Sequence, residues 1–348
     1  MKLDPDFNRV IATFNHEEPD RVPLGDFAVD KEKKEEFLGK PISDLRTEVE
    51  FWYKAGFDFV PLFAGILEPA KSIGKTAFSK DEDKEGGVRE WADEKKGLIT
   101  TDAEFENFNW PTPEDYPLDK YKEVESLLPK GMKLCVTMGK IYTPAWMLMG
   151  AETFFMAVRE KSPLVEKLLD RIGRLQFTIY QRILENCDVG AVLSSDDIAH
   201  NAGLFVKPDF LRKHVFPWYK KIGDICRDKR IPYICHSDGK MTDILDELIG
   251  LGFNGIHPIQ PNVMDIKEIK EKYGEKLTLL GNINLDFPLS LGTPEDVREE
   301  VRIRIKEIAP GGGYLVSSSN SITSFVPIEN FKAMIEAVFE FGHYPIRL

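Results

Sequence analysis

Residues 231–260, IPYICHSDGKMTDILDELIGLGFNGIHPIQ, combine the two patterns that decide the fold. Apolar runs at Ile231–Asp238 and Gly255–Gln260 flank a helical pattern over Met241–Leu251. Continuous apolar runs are typical of strands that are buried on both faces, as in a parallel sheet. This stretch therefore predicts a strand–helix–strand unit whose two strands run parallel.

The same kind of run occurs eight times along the chain. The other six predicted strands are Arg21–Phe27, Asp58–Gly65, Met132–Met138, Gly190–Asp197, Leu277–Asn284 and Gly313–Asn320. Helical patterns lie between them, and Ser162 and Thr293 each precede a proline that suits the first turn of a helix. A helix over Pro208–Lys229 should break or kink at Pro217. Eight strands alternating with helices predict an α/β fold of the (β/α)₈ TIM barrel type.

One stretch departs from this alternation. Residues 80–112 alternate polar and apolar side chains around glycines and charged turns, which predicts an antiparallel β-hairpin inserted after the second strand. We find no internal repeat and no linker-like composition. The sequence therefore predicts a single domain over residues 1–348 with a small insertion.

Composition narrows the class of protein. The chain carries 46 Lys and Arg against 58 Asp and Glu, a net charge of −12, which argues against a nucleic-acid or anionic-membrane partner. No run of residues approaches the roughly 18 apolar positions of a spanning helix, and residues 1–20 lack a hydrophobic signal core. The four cysteines form no CxxC pair. We expect a cytoplasmic protein without a disulfide framework.

Polar side chains end nearly every predicted strand. In a TIM barrel the active site lies at the carboxyl ends of the strands, so these side chains should meet at one mouth. They are Asp26, Tyr142, Asp196, Asp197, His236, Asp238, His257, Gln260, Asn282 and Asn320.

The pair His236 and Asp238 is the sharpest feature of this set. Residues i and i+2 of a strand share a face, so an imidazole and a carboxylate could reach one ion, most often zinc. Asp196 or Asp197 could add a ligand or orient the imidazole, but adjacent residues point to opposite faces, so one of the two should cap a helix or bind backbone. The alternative is that His236 forms a plain hydrogen bond to Asp238 or to a backbone group at the strand end.

Several stretches together resemble the uroporphyrinogen decarboxylase superfamily. They are EPDRVP at 18–23, HSDG at 236–239, HPIQP at 257–261, KEKYGEKLTLLGNIN at 270–284, GGGYLVSSSNSI at 311–322 and VPIEN at 326–330. The resemblance covers nearly the whole chain and implies a (β/α)₈ barrel. True decarboxylases of the family carry an arginine-rich segment after the first strand, whereas residues 25–37 here, GDFAVDKEKKEEF, contain no arginine. The resemblance is therefore closer to the corrinoid-dependent methyltransferase branch.

That branch holds zinc through a His-x-Cys pair and a cysteine on the last strand, at positions matching His236, Asp238 and Asn320 here. The histidine is kept and both thiolates are missing. The resemblance implies transfer of a methyl group between a small methylated substrate, such as a methyl ether, and a corrinoid carried on a partner protein. His236 and Asp238 would hold zinc, and Asp197 or Asp196 would be a third ligand or a general acid.

The remaining candidates would bind substrate: Asn320 would orient it, and Asn282, Gln260, His257 and Tyr142 would line the mouth. Two other functions stay open. One is a decarboxylase of a smaller acid, with Asp26 or Asp197 stabilising a protonated intermediate. The other is a non-catalytic barrel that binds a tetrapyrrole or a corrinoid.

Overall fold

A computed structural model describes residues 4–63, 78–82, 88–92, 97–138 and 140–348. For residues 78–82, 88–92 and 138 it describes the backbone. Its strands are β1 Phe59–Phe63, β2 Phe78–Glu82, β3 Val88–Ala92, β4 Lys133–Met138, β5 Val189–Ser195, β6 Ala199–His200, β7 Gly203–Leu204, β8 Tyr233–His236, β9 Gly255–His257, β10 Thr278–Ile283 and β11 Tyr314–Ser318.

Helices follow or precede most of these strands. They are α1 Phe7–Phe14, α2 Lys31–Leu38, α3 Leu45–Lys54, α4 Asp102–Asn107, α5 Asp119–Leu127, α6 Tyr142–Met149, α7 Ala151–Glu160, α8 Pro163–Asn186, α9 Pro208–His214, α10 Phe216–Lys229, α11 Leu245–Gly250, α12 Ile266–Tyr273, α13 Pro294–Ile308 and α14 Ile328–Phe341. In the parts of the chain that the structure describes, no helix has the length and apolar character needed to cross a membrane.

The central sheet is parallel and curled. Its described strands lie in the order β1-β4-β5-β8-β9-β10-β11, and each pairs in parallel with its neighbour. Each strand is one step further along the chain than the one before it, apart from the short antiparallel pairs β2–β3 and β6–β7. The prediction of a TIM barrel is confirmed.

The first predicted strand differs from the prediction. Residues 21–27 lie beside β11 through a single parallel bridge between Leu24 and Val316, and they form no regular strand. Pro23 lacks a backbone N–H, so the ladder cannot continue along this segment. Phe27 nevertheless lies 5.2 Å from the Phe59 ring of β1, measured between ring centroids. The segment therefore occupies the eighth position of the barrel, between β11 and β1.

A buried ion-pair cluster fixes the same segment to the amino-terminal end of β1. Asp58 is fully buried, and its carboxylate pairs with the guanidinium groups of Arg9 and Arg21. Arg9 also donates to Asp20 at 2.6 Å. Buried charges of this kind are stable only when each has a partner, so the cluster constrains α1, residues 20–21 and β1 together.

The helix predictions agree with the structure. α8 and α13 begin directly after Ser162 and Thr293, and Thr293 forms a reciprocal capping box with Asp296. The Pro208–Lys229 pattern divides into α9 and α10 around Val215, two residues before Pro217.

The insertion is smaller than the sequence predicted. β2 and β3 form an antiparallel pair, but residues 102–107 are helical, so the hairpin prediction is wrong for that part of 80–112. Thr101 and Glu104 explain the helix, because each side chain accepts a hydrogen bond from the other residue's backbone N–H.

Close packing of α8 against α10 gives a test of the fold. A Cβ added at Gly173 would lie 2.4 Å from the Trp218 ring, whereas one at Gly250 would meet no atom within 4 Å. Gly173→Ala should lower the free energy of unfolding by about 1–3 kcal/mol through overpacking. Gly250→Ala should leave it unchanged or raise it by up to about 1 kcal/mol. Urea denaturation of both variants checks the difference, and equal effects would contradict this packing.

Candidate functional site

A cavity of about 460 Å³ opens at the carboxyl ends of the barrel strands. Its lining combines polar and aromatic side chains: Phe27, Phe63, Thr137, Lys140, Ser195, Asp197, His236, Asp238, His257, Asn320, Ser321, Thr323 and Phe325 are among them. Each parallel strand ends at this edge, which is why residues far apart in sequence meet here.

The two adjacent aspartates after β5 have separate roles. Asp196 is buried, and its carboxylate accepts hydrogen bonds from the backbone N–H groups of Ile141, Tyr142 and Thr143 at 2.7–2.8 Å. It also accepts from the Tyr219 hydroxyl at 2.7 Å. Asp196 therefore holds the start of α6 and is not part of the described lining of the cavity.

Asp197 points into the cavity and joins His236 and Asp238. Among the described residues these three can offer ligand atoms that all lie within 4.8 Å of one another. His236 Nε2 lies 3.9 Å from Asp197 Oδ1, and that same oxygen accepts the Asp238 N–H at 3.2 Å. We call these three residues the acidic–imidazole cluster.

Asp238 is held by Asn320 from across the barrel. The Asn320 side-chain amide donates to Asp238 Oδ2 at 2.7 Å, whereas Asp238 Oδ1 is buried and has no hydrogen-bond partner among the described residues. Burial raises the pKa of Asp238, and the nearby Asp197 carboxylate raises it further, while His236 lowers it. An orphaned buried carboxylate oxygen beside a second carboxylate is the arrangement that a cation would stabilise.

His236 in turn contacts a second histidine. Its Nδ1 lies 2.6 Å from Nδ1 of His257, and Nε2 of His257 lies 2.9 Å from the Ser317 hydroxyl. His257 has an exposed fraction of 4%, and burial lowers the pKa of its imidazole well below the ordinary value, helped by His236. Both ring nitrogens of His257 are thus engaged within the protein.

Three other predicted residues lie away from the cavity. Gln260 accepts the Gly239 N–H at 2.8 Å and so orders the loop after β8. Asn282 donates to the Ile259 carbonyl at 3.0 Å and faces a separate polar cavity with Glu300. Tyr142 is fully buried. None of the three is in the described lining of the cavity that holds the acidic–imidazole cluster.

Asp26 is buried and is also absent from the described lining of the cavity. Its Oδ1 accepts the Ser318 N–H at 2.9 Å, and the Ser318 hydroxyl lies 2.6 Å from the same oxygen. Burial raises the pKa of Asp26 from 3.8 to about 6, although the Ser318 contacts lower it. Its described contacts therefore fasten residues 21–27 to β11.

Sequence reasoning missed several polar residues of the cavity, among them Thr137 and Lys140. Thr137 Oγ1 is buried without a hydrogen-bond partner among the described residues, and Lys140 is the basic side chain in the described lining. Thr137 also lines an adjoining cavity of about 530 Å³, together with Phe27 and Phe63. Thr137 could have been predicted from its position, because it is a polar residue one place before the carboxyl end of β4.

The comparisons with known proteins point to one family. The family model described as uroporphyrinogen decarboxylase (URO-D) matches residues 6–341. A methylcobamide:CoM methyltransferase, MtaA, from Methanosarcina barkeri is 24% identical over 194 residues, which are 56% of this chain and 54% of that protein. A uroporphyrinogen decarboxylase from Methylobacillus flagellatus is 36% identical over 75 residues, 22% of this chain and 21% of the other.

A second methylcobamide:CoM methyltransferase, MtbA from Methanosarcina acetivorans, is 31% identical over 128 residues, 37% of this chain and 36% of that protein. The chain thus spans about half the length, or less, of these curated relatives. A solved methyltransferase structure from Methanosarcina mazei superposes with a TM-score of 0.71 at 19% identity, covering 97% of this chain and 99% of the other. At that identity the superposition shows the fold.

The buried Asp26 carboxyl predicts a pH dependence of stability. A carboxyl whose pKa is raised by folding contributes most below its ordinary pKa, and that contribution is lost as the pH rises through about 6. Asp26→Asn removes this titration, so the variant should gain stability relative to the unsubstituted protein by up to roughly 3 kcal/mol between about pH 4 and pH 7.

Urea denaturation across this pH range measures the effect. Asp286→Asn, at an exposed position, is the matched control and should leave the profile unchanged. Parallel pH profiles for Asp26→Asn and the unsubstituted protein would show that Asp26 is not a buried neutral acid.

Proposed function

Because the chain belongs to the uroporphyrinogen decarboxylase family, we propose that it is a metal-assisted methyltransferase acting between a small methyl ether and a corrinoid carried on a separate protein. The single observation that carries the proposal is the acidic–imidazole cluster at the barrel mouth. It places one imidazole and two carboxylates around one point, at the edge of the barrel where TIM-barrel enzymes bind substrate.

Two of the relatives support the reaction class. Their names describe methyl transfer between a methylcobamide and CoM. The first of them aligns with more than half of this chain, although at 24% identity. The corrinoid partner of this chain is inferred from these relatives, and its methyl donor is inferred from its own site.

The residues of the cluster suit a zinc ion. Zinc in catalytic sites takes three protein ligands of nitrogen, oxygen or sulfur and leaves a fourth position for substrate. His236, Asp238 and Asp197 would supply one nitrogen and two oxygens, and the unpartnered Asp238 Oδ1 is an available ligand atom. When bound there, zinc would act as a Lewis acid that polarises the oxygen of a methyl ether.

The other polar residues of the site would position these ligands. Asn320 fixes the orientation of the Asp238 carboxylate through its amide. The Lys140 ammonium lowers the pKa of Asp238 and so favours its ionised, ligand-competent form. A ligand set of oxygen and nitrogen is harder than a thiolate set. It therefore suits polarising an oxygen-bearing methyl donor better than stabilising a substrate thiolate.

The adjoining cavity favours a donor with an apolar body. Its walls include Val29, Ile42, Leu45 and Trp52, and it shares Phe27, Ala28, Phe63 and Thr137 with the cavity that holds the cluster. An aromatic ring could lie against these apolar residues with its methyl ether directed toward the cluster.

A decarboxylase of a many-carboxylate tetrapyrrole fits this site less well. Such a substrate needs several fixed cations, for which arginine is the suited residue. Residues 25–37 contain no arginine, and the described lining of the cavity offers Lys140 as its basic group.

Metal binding by Asp238 is directly testable. The purified protein should bind close to one zinc per chain, and Asp238→Ala should weaken binding by at least about tenfold because it removes a ligand. Asp238→Cys, which restores a His-x-Cys pair, should keep or tighten it. Elemental analysis and zinc titration give the stoichiometry and affinity, and unchanged zinc binding in Asp238→Ala would contradict the assignment.

The reaction itself is tested with free cob(I)alamin as the methyl acceptor and a panel of aryl methyl ethers. Zinc-loaded protein should form methylcobalamin, seen by its absorbance, and His236→Ala should lower the rate at least about a hundredfold. His200→Ala, which changes an exposed histidine outside the described cavity lining, is the matched control. Equal rates for the metal-stripped and zinc-loaded protein, or release of carbon dioxide from carboxylic acids, would contradict the proposal.

A further inference from the structure

We propose that His257 is a positioning residue that sets the tautomer of His236, so that His236 presents an unprotonated Nε2 to the acidic–imidazole cluster. The tautomer assignment stands on hydrogen bonds of the protein alone. That this tautomer prepares His236 to bind a metal ion rests on the proposed function.

Ser317 fixes the first proton of the chain of hydrogen bonds. Its hydroxyl donates to the Ser318 carbonyl oxygen at 2.8 Å. A carbonyl has none to give, so the single hydroxyl proton of Ser317 points to Ser318. The Ser317 oxygen can then only accept from His257 Nε2, 2.9 Å away, and this nitrogen must carry a hydrogen.

The His257 imidazole is also neutral. Its described ring contacts are the His236 ring, the Ser317 hydroxyl and the edge of Phe27, with centroids 5.8 Å apart for the last. These contacts include no carboxylate, and a buried imidazolium without a counterion is strongly unfavourable. A neutral imidazole protonated at Nε2 has its lone pair on Nδ1.

The proton between the two rings therefore belongs to His236. Nδ1 of His236 lies 2.6 Å from Nδ1 of His257. Because the latter nitrogen carries the lone pair, His236 is the donor. With His257 neutral, a neutral His236 has its own lone pair on Nε2, on the side of Asp197.

The consequence is a cluster made of acceptors. His236 Nε2, Asp197 Oδ1 and Asp238 Oδ1 each present lone pairs, and no side-chain hydrogen lies between them. The 3.9 Å separation of His236 Nε2 from Asp197 Oδ1 agrees with two acceptors facing one another, since an ion-paired hydrogen bond would be shorter. A divalent cation is the group that such an arrangement binds, and metal-ligating histidines are commonly fixed through their other ring nitrogen.

The matched variants are His257→Asn and His257→Leu, which have similar size and branching. The asparagine amide oxygen can replace Nδ1 as the acceptor for His236, whereas leucine cannot. Long-range proton–nitrogen NMR of metal-free protein with isotope-labelled histidine, at about pH 8 where histidine is neutral, reports which ring nitrogen is protonated. The His236 signal is assigned by its loss in His236→Gln.

We expect Nδ1 of His236 to be protonated in the unsubstituted protein and in His257→Asn, and a mixture of tautomers in His257→Leu. Zinc affinity should fall about 10–100-fold in His257→Leu and by much less in His257→Asn. Ser317→Ala is a second variant in case His257→Leu does not fold, which circular dichroism would reveal. It frees His257 to reverse its tautomer and should shift the His236 signal the same way.

Protonation of His236 at Nε2 in the unsubstituted protein would overturn the inference, as would an unchanged tautomer in both His257→Leu and Ser317→Ala. The outcome is separable from that of the proposed function. If the unsubstituted protein shows the expected tautomer but binds no zinc, the metal site is wrong and the positioning role of His257 stands.

Discussion

The alternation of side chains along an extended backbone is the constraint on which the site depends. Asp196 and Asp197 are neighbours in sequence, but one bonds the start of α6 and the other faces the cavity. The same alternation buries Cys235 while His236 reaches the mouth. A shift of one residue in the pairing of β5 or β8 would turn the cavity-facing side chains away from the cavity and separate the residues of the cluster. The register of the central strands therefore decides whether these three side chains meet.

The barrel was predictable because buried parallel strands leave continuous apolar runs, and seven of the eight runs are strands in the structure. The exception contains Pro23, whose missing N–H limits the pairing with β11. The meeting of His236, Asp238 and Asn320 follows from their places at strand ends, which sequence does show. The direction of the Asn282 side chain depends on how β10 rotates about the barrel, and Tyr142 is buried at the start of α6. No local sequence pattern reports either arrangement.

The cluster also has a cost for the folded protein. Asp238 is largely buried next to Asp197, and one of its oxygens lacks a hydrogen-bond donor among the described residues. Unsatisfied buried acceptors and like charges at short range both lower stability. A cation bound to these groups would offset that cost, because it binds the folded arrangement and not the unfolded chain. Occupancy of the site and stability of the barrel are thus thermodynamically linked.

The two joined cavities draw their walls from different parts of the chain. The adjoining cavity is lined mostly by residues 27–63, whereas the acidic–imidazole cluster comes from residues 197–238 and is held by Asn320. Mutations in the first fifth of the chain can therefore reshape what is recognised without disturbing the reacting groups. Under the proposed function, a lineage could therefore exchange one methyl donor for another through substitutions in its amino-terminal segment.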